Sequence, residues 1–110
     1  MGRRLTNDEL LATVLERLQP MPVTVRSMFG GKGLYFDGKF FGVIFDGVLY
    51  FRTDGGSRAD YTSRKMPALQ PKYRPRGPKT VDRHFRVPPT ILARPASLRK
   101  WAERAAKAKR

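Results

Sequence analysis

Two hydrophobic periodicities alternate along this chain and divide it into predicted helices and strands. Near the amino end, apolar residues recur every three or four positions, the spacing of one face of an α-helix: Leu10, Leu11, Val14, Leu15 and Leu18. The preceding segment, Thr6-Asn7-Asp8-Glu9, has the form of a capping box, in which Thr and Glu side chains satisfy N–H groups at the helix start. Pro20 and Pro22 cannot continue a helix. The pattern therefore predicts a first helix over 7–19.

The middle of the chain has the patterns of β-strands. Residues 23–29 are β-prone and lead into a glycine-rich segment, Gly30-Gly31-Lys32-Gly33. Two Asp-Gly pairs, 37–38 and 46–47, stand between runs of aromatic and branched residues. Asp-Gly in this setting is a strong hairpin signal, because both turn residues need positive φ. The sequence predicts strands near 33–36, 39–45 and 48–53 that form an antiparallel meander.

Two-residue turns at both Asp-Gly pairs predict which side chains share a face of this sheet. Tyr35 would lie opposite Phe40, Leu34 opposite Phe41, and Ile44 opposite Leu49. Because side chains alternate between the faces of a strand, one face would form the core with Tyr35, Phe40, Gly42, Ile44, Leu49 and Phe51. Gly42 would let a helix or the Phe51 ring approach the backbone closely. The other face would hold Leu34, Phe36, Lys39, Phe41, Val43, Phe45, Val48, Tyr50 and Arg52.

That second face is too apolar for a fully hydrated surface. A helix of the chain could cover it, a second copy could cover it in a homodimer, or its aromatic rings could stack nucleic-acid bases. Coverage by protein is favoured, because aliphatic residues outweigh cations there. The candidate residues of a protein interface are Phe36, Phe41, Val43, Phe45 and Tyr50.

The second half of the chain combines short elements with a proline-rich segment. Ser57 stands where it can cap a short helix that runs to residue 65 before Pro67. Residues 67–79 hold four prolines, which predicts a loop or an irregular edge strand. A further strand is predicted over 81–87. A final amphipathic helix near 96–107 follows from the spacing of Leu98, Trp101, Ala102 and Ala105 after Pro95.

Positive charge is concentrated in the second half. The chain has 23 Lys and Arg against 9 Asp and Glu, a net charge of +14. Residues 1–57 contribute 7 basic and 6 acidic residues, and residues 58–110 contribute 16 and 3. Such a field attracts phosphate backbones or acidic surfaces, although an arginine-rich hydrated surface is an equally ordinary explanation. The candidate nucleic-acid-binding residues are Lys72, Arg74, Arg76, Lys79, Arg83 and Arg86, together with the basic carboxyl end.

No motif for catalysis, a cofactor or a metal is visible. A phosphate-binding loop needs glycines at a set spacing before a helix, whereas Gly30 to Gly33 lead into a predicted strand. His84 is the only histidine and has no acid or nucleophile at motif spacing, so it is interpreted as a structural or surface residue. Thiolate ligands and disulfides are excluded, because the chain has no cysteine. We predict that the protein is not an enzyme.

Length and hydropathy predict one domain over residues 1–110, since this length supports a single modest core. The apolar runs are short and interrupted by charges, so no membrane span is expected. The amino end leads into a helix pattern rather than an apolar signal sequence. Together with the missing cysteines, this predicts a cytoplasmic protein.

With these segments placed, the chain resembles the N-terminal domain of the TfoX (Sxy) competence-regulator family. The shared residues begin with Met28-Phe29-Gly30-Gly31, Gly33-Leu34-Tyr35 and Asp37-Gly38. They continue with Phe41-Gly42-Val43-Ile44, Leu49-Tyr50-Phe51-Arg52-Thr53-Asp54, Val87-Pro88 and the closing Leu98, Trp101 and Ala105. The similarity runs from about residue 26 to residue 106, nearly the whole chain.

The resemblance implies a two-layer α+β fold, with helices packed on an antiparallel sheet in the order helix, three-strand meander, helix, two strands, helix. The two later strands would lie near 70–75 and 83–87. It also implies a regulatory role, because family members act in the regulation of competence genes, as co-activators alongside a DNA-bound activator. We therefore expect a domain of this type without the helical C-terminal domain of longer members, which acts by contact with a protein partner such as a transcription activator. The family offers no catalytic residues.

Overall fold

A computed structural model of the chain describes residues 5–28, 30–69 and 84–108. Their helices and strands follow in this order: α1 (Asn7–Leu18), β1 (Val23–Met28), β2 (Gly31–Phe36), β3 (Lys39–Phe45), β4 (Val48–Arg52), α2 (Arg58–Thr62), β5 (His84–Arg86), α3 (Pro89–Leu92) and α4 (Pro95–Ala106). The five strands form one antiparallel sheet in sequence order. The predicted α+β fold with helices packed on an antiparallel sheet is confirmed.

Strand β1 turns the predicted three-strand meander into a meander of four strands. Its six residues pair with β2 from Val23 opposite Phe36 to Met28 opposite Gly31. The glycine-rich segment is therefore mostly strand, since Gly31 and Gly33 lie within β2, and only Gly30 has a left-handed φ, of 78°. The strand expected near 70–75 lies outside the described residues. Next to it, Ala68 forms a bridge with Phe85 of β5.

The two Asp-Gly turns have the predicted conformation. Asp37, Gly38, Asp46 and Gly47 all have φ between 54° and 77°, as the left-handed turns of tight hairpins require. The predicted register of the second hairpin is confirmed, with Phe45 opposite Val48 and Ile44 opposite Leu49.

The first hairpin departs from its predicted register at a β-bulge. Tyr35 lies opposite Phe40 as expected, but Leu34 lies opposite Gly42 rather than Phe41. Phe41 is the additional residue of β3 at this point, and a bulge of this kind reverses the alternation of faces beyond it. Gly42 and the residues after it therefore keep their predicted face, whereas Phe40 and its partner Tyr35 lie on the face opposite to the predicted one.

In the described part of the chain, helices α1 to α4 lie on the same side of the sheet. The core between the layers joins α1, the sheet, α2 and α4 through Leu10, Val14, Leu18, Leu34, Phe41, Ile44, Leu49, Phe51, Tyr61, Phe85, Leu98 and Ala102 among others. Gly42 lies beneath the Phe51 ring, where a Cβ atom would come within 3.0 Å of that ring, so the predicted close approach is confirmed. The predicted core positions of Gly42, Ile44, Leu49 and Phe51 are correct. Those of Tyr35 and Phe40 are wrong, because the bulge turns both rings to the opposite face.

Helix α1 begins with the predicted capping box. The Glu9 N–H donates to the Thr6 hydroxyl at 3.1 Å, and the Thr6 N–H donates to the Glu9 carboxylate at 2.9 Å. Helix α2 begins differently, because the Ser57 hydroxyl accepts a hydrogen bond from the Asp54 N–H and none from the helix. The predicted cap by Ser57 is therefore wrong. Helix α4 starts with Pro95 at its first position and lies one residue from its predicted limits.

Asn7 ties the start of α1 to two turns of the sheet. Its Oδ1 accepts a hydrogen bond from the N–H of Gly47 at 2.7 Å, and its Nδ2 donates to the carbonyl of Gly30 at 3.2 Å. Gly47 belongs to the turn between β3 and β4, and Gly30 to the turn between β1 and β2. One side chain thus fixes the helix against the same end of both hairpins.

We expect Asn7→Ala to lower the free energy of unfolding by about 1–3 kcal/mol, because the partly buried Gly47 N–H loses its acceptor. Urea unfolding measures this change, with an unchanged m-value as the sign of an unchanged transition. Asp8→Ala is the matched control, because Asp8 lies next in α1, is exposed and pairs with Lys32 at 3.8 Å at the surface. Equal costs for the two variants would contradict the bridging role of Asn7.

Candidate interaction surface

The side of the sheet opposite the helices, here called the open face, carries no helix among the described residues. Its side chains follow from the strand pairing and form rows across the sheet. One row joins Arg26, Gly33, Val43, Tyr50 and Arg86. The next row consists of Thr24, Tyr35 and Phe40, followed by the pair of Arg52 and His84, whose His84 ring contacts Phe40.

The row from Thr24 to His84, here called the aromatic row, brings rings into contact across the sheet. The ring centroids of Tyr35 and Phe40 lie 5.3 Å apart, and those of Phe40 and His84 lie 5.2 Å apart. The guanidinium of Arg26 lies over the Tyr35 ring at 5.4 Å from its centroid, which is a cation–π contact. Tyr35 and Phe40 are partly exposed and are not packed against the core.

The other end of the open face, here called the apolar end, consists of Val43, Phe45, Val48 and Tyr50. Phe45 pairs with Val48, and Val43 with Tyr50, close to the turn between β3 and β4. Three of these side chains are partly exposed: Phe45, Val48 and Tyr50. The fourth, Val43, is buried, with a relative solvent exposure of 2%. The apolar end therefore presents an aliphatic and aromatic contact surface around a buried valine.

The residues predicted for a protein interface divide between the two faces. Phe45 and Tyr50 lie on the open face, as does the nearly buried Val43. Phe41 is fully buried in the core, with its ring centroid 5.7 Å from that of Phe51, and Phe36 packs against the same core. Phe41 is therefore wrong as an interface residue, because it is buried inside the domain. Phe36 is partly exposed and lies on the helical side of the sheet, not on the open face.

The predicted basic segment lies almost wholly outside the described residues. This applies to Lys72, Arg74, Arg76, Lys79 and Arg83, and to the last two residues of the basic carboxyl end. Arg86 is described, is exposed and lies opposite Tyr50 on the open face. Arg86 is thus the member of the predicted set that the structure places beside the interface candidates.

Sequence reasoning missed the aromatic row, because it assigned Tyr35 and Phe40 to the core. The predicted pairing of Tyr35 with Phe40 was correct, and it already placed the two rings together. The predicted register had no bulge at Phe41, so it assigned both rings to the wrong face of the sheet. The proximity of His84 to this pair is a tertiary contact, since β5 is separated from β3 by about 40 residues of chain.

Two arginines form hydrogen bonds on the helical side of the domain. Arg17 donates to the Leu92 carbonyl at 2.9 Å, and Arg99 donates to the carbonyls of Arg17 and Gln19 at 3.3 and 3.2 Å. These carbonyls stand at helix ends, where cations are favoured. Part of the net charge of the chain therefore stabilises the fold.

An aromatic cluster joins α2 to α4. The Tyr61 ring meets the Trp101 ring edge-on at a centroid distance of 4.8 Å, and the Arg104 guanidinium lies over Trp101 while donating to Asp60 at 2.6 Å. Burial raises the pKa of Tyr61 well above its usual value, and nearby Arg104 opposes that rise only in part. The phenol stays neutral at any physiological pH, and the cluster is a packing contact between helices.

Within residues 5–28, 30–69 and 84–108, no three His, Asp or Glu side chains lie close enough together to hold a metal ion. In the same ranges, no helix is both long and apolar enough to cross a bilayer.

Fold and surface define a small α+β domain whose sheet has helices on one face and an open, aromatic and basic second face. The family model of the TfoX N-terminal domain matches residues 13–109, nearly the whole chain. The chain belongs to the TfoX N-terminal domain family, and the predicted resemblance is confirmed. No curated protein sequence matches the chain.

Proposed function

We propose that this protein is a non-enzymatic, cytoplasmic regulatory domain that acts in transcription regulation by binding a protein partner at the apolar end of the open face. The observation that carries the proposal is the exposure of Phe45, Val48 and Tyr50 on a face with no helix in the described part of the chain. Aromatic residues with arginine nearby are the side chains enriched at protein interfaces. Membership of a competence-regulator family supports a transcription activator as the partner.

The side chains of the apolar end are better suited to contact with a protein partner than to contact with water. Val43 and Val48 have no polar atoms in their side chains, and Tyr50 adds an aromatic ring. Arg86 lies opposite Tyr50 and adds a positive charge beside the patch. A partner surface with an apolar centre and an acidic margin would complement this arrangement.

A second candidate function is direct, weakly specific nucleic-acid binding through the basic second half. The charge distribution favours it, because 16 of the 23 basic residues lie in residues 58–110. Binding of this kind would depend on phosphate contacts and would weaken steeply as the salt concentration increases. A plot of log affinity against log salt concentration would fall with a slope of about 0.9 for each duplex phosphate contacted.

The test of the first proposal is capture of partners from an extract of the source cells by the tagged full chain, with and without nuclease. We expect a transcription activator to remain bound after nuclease treatment. Val48→Glu should reduce its binding by about tenfold or more, the size of effect found at central apolar positions of interfaces.

Lys100→Glu is the matched control, because Lys100 is exposed on α4, on the helical side of the sheet. Lys100→Glu changes the net charge by more than Val48→Glu does, and it should leave capture of the partner unchanged. Capture that disappears with nuclease would support the second candidate instead. A second copy of the chain is a third possible occupant, and light scattering measures whether the protein is a dimer. A dimer that Val48→Glu converts to a monomer would show that a second copy covers the apolar end.

A further inference from the structure

The aromatic row has features that neither a protein contact at the apolar end nor phosphate contacts in the basic segment explain. Three rings from β2, β3 and β5 touch in sequence across the sheet, and two of them are partly exposed Tyr35 and Phe40. Aromatic rings of this size left on a hydrated face usually belong to an interaction site. We propose that the aromatic row binds single-stranded nucleic acid, with bases stacked on Tyr35 and Phe40 and phosphates held by the flanking arginines.

Among the described residues no helix covers this row, and the Arg26 guanidinium lies over the ring of Tyr35. Tyr35 pairs with Phe40 across the strands, and the His84 ring contacts Phe40 on the same open face, opposite helices α1 to α4. Side chains on a strand stand roughly perpendicular to the sheet, so neighbouring rings form a platform. A single strand can splay its bases outward and lay them on such rings, as happens on other aromatic sheet surfaces.

The charge of the face suits a polyanion. Arg26 and Arg86 are exposed, and Arg52 is partly exposed within the aromatic row. None of the five strands contains an Asp or Glu, so the face has no fixed negative charge from its own strands. The guanidinium of Arg26 already lies over Tyr35, and from there it can reach a phosphate next to a stacked base.

A single strand fits the row better than a duplex or a protein does. In a duplex the base faces are covered by their neighbours, so rings cannot stack on them without unpairing. A protein partner would favour the aliphatic groups, and these are gathered at the apolar end. Stacking also needs no base-specific hydrogen bonds, and we therefore expect little dependence on sequence.

The test is fluorescence anisotropy of a labelled oligothymidylate of about ten nucleotides, the site size of small single-strand binders, titrated with the full chain. A duplex of equal length and an oligouridylate are the comparison probes. We expect single strands to bind more tightly than the duplex. Tyr35→Leu and Phe40→Leu should each weaken binding by about 5- to 100-fold.

Three further variants separate stacking from general electrostatics. Tyr35→Phe keeps the ring and should keep the affinity. Arg26→Gln should reduce the dependence of log affinity on log salt by about 0.7. Phe45→Leu, at the apolar end of the same face, should bind as the wild type does.

Two results would overturn the proposal: single strands that bind no better than the duplex, or folded Leu variants that bind like the wild type. If the Leu variants fail to fold, ultraviolet crosslinking of the wild type to the same oligonucleotide decides. Adducts on Tyr35 or Phe40 support the proposal, and adducts confined to residues 70–83 or the carboxyl end contradict it. These results are independent of nuclease-resistant protein capture, so the two proposals can fail separately.

Discussion

Replacing Phe41 by alanine is expected to lower the free energy of unfolding by about 3–5 kcal/mol, the cost of removing a fully buried phenylalanine ring from a core. The ring has no exposed surface and packs against Phe51 beneath the helices. Removing it leaves a cavity between α4 and the sheet that surrounding side chains can fill only in part. Urea unfolding followed by circular dichroism measures the change, with comparison of m-values.

The matched control is Phe40→Ala, one residue earlier in the same strand. Phe40 is partly exposed on the open face and is not part of the core, so its removal should cost about 1 kcal/mol. The pair tests the β-bulge directly, because strict alternation without a bulge assigns Phe40 to the core and Phe41 to the opposite face. A larger loss from Phe40→Ala than from Phe41→Ala would show that the bulge is absent in solution.

Replacing Gly31 by alanine should cost about 3 kcal/mol, at the upper end of the range for added atoms in a packed interior. A Cβ atom at Gly31 would overlap the carbonyl oxygen of Ile44 on the neighbouring strand. The overlapping atom belongs to the backbone, so it cannot rotate away as a side chain would. The contact can be relieved only by moving β2 away from β3.

Two glycine variants calibrate this effect in the same unfolding experiment. Gly30→Ala meets no atom within 4 Å but has a φ of 78°, so only the left-handed backbone is penalised, by about 1–2 kcal/mol. Gly55→Ala also meets no atom within 4 Å and has no such φ, so it should change stability by less than about 0.5 kcal/mol. If Gly31→Ala costs no more than Gly30→Ala, the close approach of the strands is not what requires glycine.

The sequence predicts part of the candidate surface correctly. It assigns other residues to the wrong face of the sheet. Phe45 and Tyr50 were predicted as interface residues, and the register of their hairpin is correct because the Asp46-Gly47 turn fixes it locally. Phe41 was misassigned because Phe40 and Phe41 are adjacent aromatic residues. Hydropathy does not distinguish which of two neighbouring rings faces the core, so the pattern contained no sign of the bulge.

Local chemistry explains what the sequence by itself determined. The capping box fixes the start of α1, the Asp-Gly pairs fix two tight turns, and the spacing of glycine and aromatic residues identifies the family. The capping box and the turns act over a few neighbouring residues, and the family pattern is read along the sequence, so all three can be found without knowing the fold. The net charge also follows from the sequence alone. The contacts that individual arginines make do not.

Only the tertiary structure decided the features that depend on contacts between distant segments. Packing of Phe41 against Phe51 and the helices accompanies the bulge, and the bulge in turn places Tyr35 and Phe40 on the open face beside His84. The two hydrogen bonds of Asn7 likewise join segments 23 and 40 residues apart. Alternation along a strand predicts two faces, and the side that the helices occupy determines which face remains open to a partner.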